Sequence, residues 1–217
     1  YKIIVWFFGL SVFLVVFFKF VPVPFTPLMG IRIIENKLDK KPIYFEHNWE
    51  PIENISMNLQ KAVIASEDGT FLHHHGFDFS AMQQAFRNNA NGKRIKGGST
   101  ISQQTAKNVF LWQGRSYFRK ALEAYFTVLI ELIWGKERIM EVYLNSIEMG
   151  DGIYGAHAAT RYWYSKDASS LTKMQAAGIA AILPNPRKFK ASNSTAFINR
   201  RKDRIVRVMR HIGTINY

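Results

Sequence analysis

An apolar run at the start of the chain limits how the rest of it can fold. Residues 3–18 contain no charged side chain, and a second apolar stretch follows Lys19 and continues to residue 24. A membrane-spanning helix needs roughly 20 such residues, and the stem of a lysine can lie in the apolar layer while its amine reaches water. A helix buried in a soluble core is the alternative. The apolar flanks disfavour it, so we predict a membrane anchor over residues 1–24.

The residues after this run decide between an anchor and a cleaved signal peptide. A signal peptide ends in a small-residue cleavage site, whereas this run is followed by prolines at positions 22, 24 and 27. Trp6 and Phe25 stand where aromatic side chains favour the two membrane interfaces. We therefore predict an uncleaved anchor.

The charge balance indicates an anionic partner. The chain carries 29 lysine and arginine residues against 16 acidic ones, a net charge of +13. Such a balance suits nucleic acid, an anionic membrane surface or a phosphorylated substrate. Beside a membrane anchor, lipid head groups are the better partner for the basic segment at 195–212, and we predict no nucleic acid. The sequence has no cysteine, which excludes disulfides and thiol catalysis.

Helix signals recur along the rest of the chain. Ser56 is placed as the N-cap of a helix with one apolar face that ends at Glu67. Residues 43–45 have the composition of a short strand. Because the remaining pattern is helical, we predict a mainly α fold packed around one cleft. Further helices are predicted from the capping boxes Ser80/Gln83, Thr100/Gln103 and Thr172/Gln175, and at 117–134, 136–147 and 195–212.

Two carboxylate groups are candidates for catalysis. Glu67 and Asp68 end an apolar helix, and Glu123 lies on a very apolar helix beside Arg119 and Lys120. Paired carboxylates from separate elements, with cations near one of them, indicate chemistry at a sugar carbon. The alternatives are that Glu67 and Asp68 form a solvated helix end and that Glu123 makes an intrahelical ion pair. Spacing alone leaves both interpretations open.

A glycine-rich segment before the helix at Thr100 is a candidate anion site. Backbone N–H groups and the helix dipole at such a start favour an anion, and Gln103 and Lys107 are one turn apart. With Lys96, Arg115, Arg119 and Lys120 nearby in sequence, we predict a diphosphate site, covered by a mobile flap at 89–98. The alternative is a glycine-hinged loop before an ordinary capped helix.

Two further patterns bear on the site. Consecutive histidines at 73–75 diverge along the backbone and have no HExxH or cysteine partner, so we predict a hydrogen-bonding role rather than metal ligation. On the helix at 117–134 the polar residues Arg119, Glu123, Thr127 and Glu131 recur every four positions. A polar stripe on a buried helix must face a cleft or be satisfied internally.

Five motifs, in family order, resemble those of the peptidoglycan glycosyltransferases, glycosyltransferase family 51. They cover about residues 55–210. The departures are Met140, where leucine is common, and Ser102, where threonine is usual. The motifs are Glu67-Asp68-x-x-Phe71-x-x-His74-x-Gly76, Gly98-Ser99-Thr100-Ile101-x-Gln103-Gln104-x-x-Lys107-Asn108, Arg119-Lys120-x-x-Glu123, Lys136-x-x-Ile139-x-Glu141-x-Tyr143-Leu144-Asn145, and Ala176-Ala177 through Pro184-Asn185-Pro186.

The resemblance implies a lysozyme-like fold with a head lobe, a small membrane-facing jaw lobe and a cleft between them. Residues 1–24 would be the anchor, 25–54 a linker and the start of the jaw region, and 55–217 the glycosyltransferase domain. The match ends with this module, so the chain resembles the monofunctional type, without a transpeptidase.

The resemblance also implies the reaction. The family polymerises lipid II into β-1,4-linked glycan strands, with inversion at the sugar and release of undecaprenyl diphosphate. Glu67 would be the general base, and Glu123 would position the diphosphate, either directly or through a divalent cation such as Mg²⁺. The implied substrate-binding residues are Asp68, Phe71, His74, Gly76, Lys96, Ser99, Thr100, Gln103, Gln104, Lys107, Asn108, Arg115, Arg119, Lys120 and Asn145.

The implied partners are lipid II, the growing lipid-linked glycan, the membrane and proteins of cell-wall synthesis or division. The implied location is the cytoplasmic membrane, with one span and an extracytoplasmic catalytic domain. Two rival functions stay open: a lytic glycosidase, which would use Glu67 as an acid but leave the cations unexplained, and a non-catalytic membrane-tethered scaffold.

Overall fold

The computed structural model describes residues 1–90, 98–114 and 116–217, without the side chains of residues 86 and 88–90. It is mainly α-helical, which confirms the predicted fold class. Short 3-10 helices lie at Ile52–Asn54 and Ala168–Ser170. The helices are α1 Lys2–Phe20, α2 Pro27–Leu38, α3 Met57–Glu67, α4 Phe79–Ala90, α5 Ile101–Phe110, α6 Tyr117–Ile133, α7 Gly135–Ser146, α8 Gly155–Tyr164, α9 Lys173–Ile182 and α10 Ala196–Met209.

A small sheet joins the N-terminal part of the chain to the domain. Strand β1 (Glu46–His47) pairs in parallel with β3 (Ile153–Tyr154), which pairs antiparallel with β2 (Glu148–Gly150). The strand predicted at 43–45 therefore begins later, at Glu46, whose N–H donates to the Gly152 carbonyl at 2.9 Å. Residues 25–54, predicted as a linker and the start of the jaw region, contribute α2 and β1.

Helix α9 is the centre of one part of the core. Residues 176–182 are all buried and mostly small, which lets α3 and α10 pack closely on either side. At Gly178 a Cβ atom would lie 2.2 Å from the Tyr164 hydroxyl. This close packing brings the end of α3, where Glu67 lies, next to α10.

Helices α5, α6 and α7 form the neighbouring part of the core. The rings of Phe110 and Phe126 stack at 4.6 Å between α5 and α6. The predicted capping box of Thr100 and Gln103 is present at the start of α5. Ser56 and Thr172 also cap their helices as predicted.

The capping box predicted for α4 is wrong. Ser80 lies inside the helix, and the carboxylate of Asp78 instead accepts the Ala81 N–H at 2.8 Å and the Ser80 hydroxyl at 2.6 Å. These hydrogen bonds, with one from Thr70, lower the pKa of Asp78 to about 2. Asp78 is the stronger cap because a carboxylate accepts both groups and carries negative charge at the helix start.

Helix α1 packs on α6 and α7 along one side and exposes apolar side chains on the other. The indole Nε1 of Trp134 donates to the Val15 carbonyl at 2.7 Å. At the end of α1, the guanidinium of Arg138 donates to the carbonyls of Phe18 at 2.8 Å and Val21 at 2.7 Å. Within the described residues, α1 is the one helix long and apolar enough to cross a membrane. This fits the predicted anchor.

Candidate active site

A cleft of about 720 Å³ opens between the end of α3, the start of α5 and one face of α10. Glu67 from α3 and Ser99 and Gln104 from the α5 region line one wall. Arginines of α10 line the opposite wall. The Glu67 carboxylate thus faces a strongly basic helix across a space large enough for a sugar.

The Glu67 carboxylate is held in place by three neighbours. Its Oε1 accepts the Ser66 hydroxyl at 3.0 Å and lies 4.0 Å from the Arg201 guanidinium. Its Oε2 accepts the Gln104 side-chain amide at 3.2 Å. The side chain is 16% exposed, so the alternative of a solvated helix end is wrong. Glu67 is an oriented carboxylate inside a cleft.

Asp68 fixes the loop that follows Glu67. Its carboxylate accepts the Ile101 N–H at the start of α5 at 2.9 Å and contacts His74 Nε2 at 2.9 Å. His74 Nδ1 accepts the Gly76 N–H at 3.1 Å, so the proton on Nε2 is the one donated to Asp68. The predicted hydrogen-bonding role of the histidines therefore describes His74, which ties the loop to α5.

Gly76 closes the same loop against α6. Its φ of +88° lies in the left-handed region, and a Cβ atom there would lie 2.8 Å from Thr127 Cγ2. Its carbonyl accepts the Thr100 hydroxyl at 2.6 Å. Only glycine meets both the dihedral and the space requirement, so this position shapes the site without touching the cleft.

We expect Gly76→Ala to destabilise the fold by about 2–3 kcal/mol, because strained φ and a steric clash add. Urea unfolding followed by circular dichroism measures this. Gly69→Ala is the matched control, since Gly69 has nothing within 4 Å of the added Cβ and no positive φ. Equal stability of the two variants would contradict the argument.

A cationic cluster surrounds Glu123 on α6. One carboxylate oxygen accepts Arg119 Nη1 at 2.7 Å and the other accepts the Lys120 amine. The intrahelical ion pair left open as an alternative is therefore present. It does not exclude a site, because the Lys120 side chain is 45% exposed and its amine lies 3.5 Å from the hydroxyl of Ser99, which lines the cleft.

Lys107 adds positive charge to this cluster from α5. Burial lowers its pKa, the Glu123 carboxylate opposes that shift, and the positive charges of Arg119 and Lys120 reinforce it. Gln104 and Lys107, rather than the predicted Gln103 and Lys107, are the partly exposed polar pair on α5.

Some of the predicted site lies outside the described residues. This applies to the predicted cations Lys96 and Arg115 and to residues 91–97 of the predicted flap.

The geometry of Glu123 does not favour a bound divalent cation. Both carboxylate oxygens already accept hydrogen bonds from Arg119 and Lys120. The described part of the chain contains no group of three histidine, aspartate or glutamate side chains that could hold a metal ion. Mg²⁺ usually keeps one or two protein carboxylates and several phosphate or water ligands, so the predicted cation would depend mainly on the diphosphate of the predicted substrate.

One predicted substrate-binding residue, Asn145, forms part of the scaffold instead. Asn145 is completely buried, and its amide pairs with the backbone of Glu50 on both sides, at 2.8 Å each. The prediction that Asn145 contacts a substrate in the cleft is therefore wrong. Substrate contact stays a prediction for the other implied positions inside the domain, which are the buried Asp68, Phe71, Gly76, Thr100, Gln103 and Asn108 and the partly buried His74.

The side chains of the polar stripe on α6 have hydrogen-bond partners within the domain. Thr127 donates its hydroxyl to the Glu123 carbonyl at 2.7 Å. Glu131 accepts the Ser102 hydroxyl at 2.5 Å and the Lys136 amine at 2.7 Å. The hydroxyl at position 102 is thus used. The stripe approaches the cleft in its N-terminal part, where Lys120, which binds Glu123, reaches Ser99.

The arginines of α10 were not predicted to lie in the cleft. Arg200, Arg201 and Arg204 line the cleft opposite Glu67, although the basic segment was predicted to bind lipid head groups. Their spacing of i, i+1 and i+4 on an amphipathic helix was the available signal. Periodicity indicates a shared face, but it does not indicate which partner that face meets.

Comparison with known proteins agrees with this geometry. A profile described as Transglycosylase matches residues 36–210. A biosynthetic peptidoglycan transglycosylase of Pseudomonas putida is 50% identical over 216 residues, which cover 100% of this chain and 92% of that protein. Proteins of the same name from Pseudomonas fluorescens (50% over 216 residues, 90% of its length) and Caulobacter vibrioides (53% over 191 residues, 88% of this chain and 81% of its own length) are also similar. The motif order, the cleft and these matches agree, and the chain belongs to the transglycosylase family.

Proposed function

We propose that this peptidoglycan glycosyltransferase polymerises glycan strands from lipid II, with the growing lipid-linked strand as donor. The observation that carries the proposal is the Glu67 carboxylate in a cleft between two groups of cations. One group, on α10, suits the diphosphate of an incoming acceptor. The other, around Glu123, suits the diphosphate that leaves the donor.

Glu67 acts as the general base. The 4-hydroxyl of the acceptor sugar attacks C1 of the donor sugar, and Glu67 takes the hydroxyl proton as the new C1–O bond forms. A carboxylate oriented by Gln104 and Ser66 is suited to this, since its lone pair points in a defined direction. The bond between C1 and the diphosphate breaks from the opposite side, so the anomeric centre inverts.

The leaving group needs positive charge rather than a proton. Undecaprenyl diphosphate is already ionised, so cations at the developing charge lower the barrier without a general acid. Lys120, whose amine lies near Ser99 at the cleft wall, is the most exposed cation of this group. Arg119 and Lys107 support it from deeper positions. No step depends on a metal ion; a divalent cation at Glu123 stays a prediction, tested by activity in the presence of a chelator.

The arginines of α10 bind the acceptor. Their guanidinium groups lie in the same cleft as Glu67, where they can neutralise a diphosphate while the acceptor sugar reaches the base. This division of cations into two groups also distinguishes the chain from a lytic glycosidase, which needs a protonated carboxyl and has no use for either group.

We expect Arg204→Ala to raise KM for lipid II about tenfold with kcat near the wild-type value, because a charge-assisted hydrogen bond contributes about 1.5 kcal/mol. Steady-state kinetics measure this. Arg207→Ala is the matched control: Arg207 is exposed on the same helix but does not line the cleft. Equal effects of the two substitutions would mean that bulk charge, not the cleft, binds the acceptor.

The membrane brings enzyme and substrates together. Both substrates carry lipid tails, so the N-terminal helix raises their effective concentration at the catalytic domain. Exposed apolar side chains at the start of α6, Tyr117 and Phe118, adjoin the cationic cluster in sequence and support contact between this side of the domain and lipid. We place the catalytic domain on the extracytoplasmic side, where glycan strands assemble. Contacts with cell-wall or division proteins stay a prediction.

Purified full-length protein in detergent or nanodiscs, supplied with lipid II, tests the function. Polymer on a gel, with release of undecaprenyl diphosphate, is the expected result. Soluble fragments released from preformed peptidoglycan would favour the lytic alternative. Lack of both activities in a folded, membrane-inserted sample would favour the scaffold.

A further inference from the structure

A fully buried tyrosine lies directly behind the residue that holds Glu67. The Tyr143 hydroxyl, on α7, lies 3.3 Å from Gln104 Oε1. Gln104 in turn donates its Nε2–H to Glu67 Oε2 at 3.2 Å. Helices α7, α5 and α3 thus contribute one residue each to a chain of two hydrogen bonds that ends on the proposed base.

The direction of both hydrogen bonds follows from the chemistry of the groups. Burial, with the negative charges of Glu67 and Asp68, raises the pKa of Tyr143 well above its ordinary value, so the phenol keeps its proton and donates it. An amide oxygen can only accept, so Gln104 Oε1 faces Tyr143 and its NH₂ group faces the carboxylate. The phenol therefore determines which end of the amide meets Glu67.

We propose that Tyr143 is a positioning residue: by holding the Gln104 amide in one orientation, it aims the Glu67 carboxylate at the acceptor hydroxyl. The inference rests on the proposed role of Glu67 as base. Gln104 is partly exposed at the cleft, where a long side chain without a fixed oxygen would sample several rotamers. Glu67 Oε2 would then lose the partner that fixes its plane, while Ser66 and Arg201 stay near Oε1.

This arrangement affects the chemical step more than binding. Tyr143 is buried and does not line the cleft, so its loss removes no substrate contact. A misaligned base slows proton transfer at the transition state but leaves the bound ground state almost unchanged. The expected signature is a lower kcat at constant KM.

The test compares Tyr143→Phe, Gln104→Met and the double variant in lipid II polymerisation. Tyr143→Phe is expected to lower kcat about tenfold, as the loss of one oriented hydrogen bond that leaves its partner unpaired predicts, with KM within about twofold. Because Tyr143 acts through Gln104, adding Tyr143→Phe to Gln104→Met should lower kcat no further. Unchanged kcat in Tyr143→Phe, or equal losses in both backgrounds, would overturn the proposal.

Tyr154→Phe is the matched control. Tyr154 is another buried tyrosine, but its hydroxyl has no hydrogen-bond partner among the described residues and it does not line the cleft. Its kcat should equal that of the wild type. A loss as large as that of Tyr143→Phe would assign the effect to packing.

A second readout separates this proposal from the proposed reaction. The side-chain NH₂ resonances of Gln104, assigned by comparison with Gln104→Met, should shift in Tyr143→Phe and stay in place in Tyr154→Phe. That result would support the positioning contact even if the wild type failed to polymerise lipid II, which would contradict the reaction alone. Unshifted Gln104 resonances in Tyr143→Phe would refute the contact itself.

Discussion

Replacement of Glu67 by glutamine is expected to lower the polymerisation rate by about a thousandfold, within the range found for removal of a general base. Glutamine keeps the size of the side chain and its hydrogen bond to Ser66, but it cannot take a proton. The fold should persist, because Glu67 lies at the end of α3 and at the cleft surface rather than in the apolar core. Gel analysis of the products and the thermal unfolding curve measure the two quantities.

Glu53→Gln is the control for the loss of one negative charge. Glu53 is exposed on the 3-10 helix before α3 and does not line the cleft. Its variant should polymerise lipid II at the wild-type rate. Normal polymer from folded Glu67→Gln would remove this residue from the mechanism and, with it, the assignment of the cleft.

Local signals predicted the part of the site that depends on neighbouring residues. Glu67 at the end of α3 and the Thr100–Gln103 cap of α5 follow from helix periodicity and capping chemistry over a few positions. The mainly α fold followed for the same reason. The cap of α4 shows the limit of such rules, since two plausible caps lie two residues apart. The carboxylate of Asp78, rather than the hydroxyl of Ser80, accepts the N–H group at the start of the helix.

Contacts between segments far apart in the sequence could not be predicted from these local signals. The approach of Arg201 to Glu67 depends on the packing of α10 and α3 against α9, which joins segments far apart in the sequence. Asn145 illustrates the opposite error. A motif residue was assigned to the substrate, although its buried amide links α7 to the backbone of Glu50. Motif membership indicates that a residue type is required at a position but does not say whether ligand or fold requires it.

Glu123→Gln separates these two requirements on α6. The carboxylate is almost fully buried between Arg119 and Lys120, so its loss leaves a buried guanidinium without its charge partner. Breaking a buried pair in this way costs about 3 kcal/mol of stability. We also expect kcat per folded molecule to fall about 100-fold, because the cations would no longer be held where the diphosphate leaves, a loss comparable to removing one oriented transition-state donor.

Glu148→Gln distinguishes the catalytic part of this effect from the structural part. Glu148 is also buried, its carboxylate lies 3.3 Å from the Arg32 guanidinium, and it does not line the cleft. Both variants should lose stability in urea unfolding, whereas Glu123→Gln alone should lose turnover after correction for the folded fraction. If Glu123→Gln kept wild-type turnover, the carboxylate would serve the fold only, and the placement of the leaving diphosphate would have to rest on Lys120 and Lys107 without it.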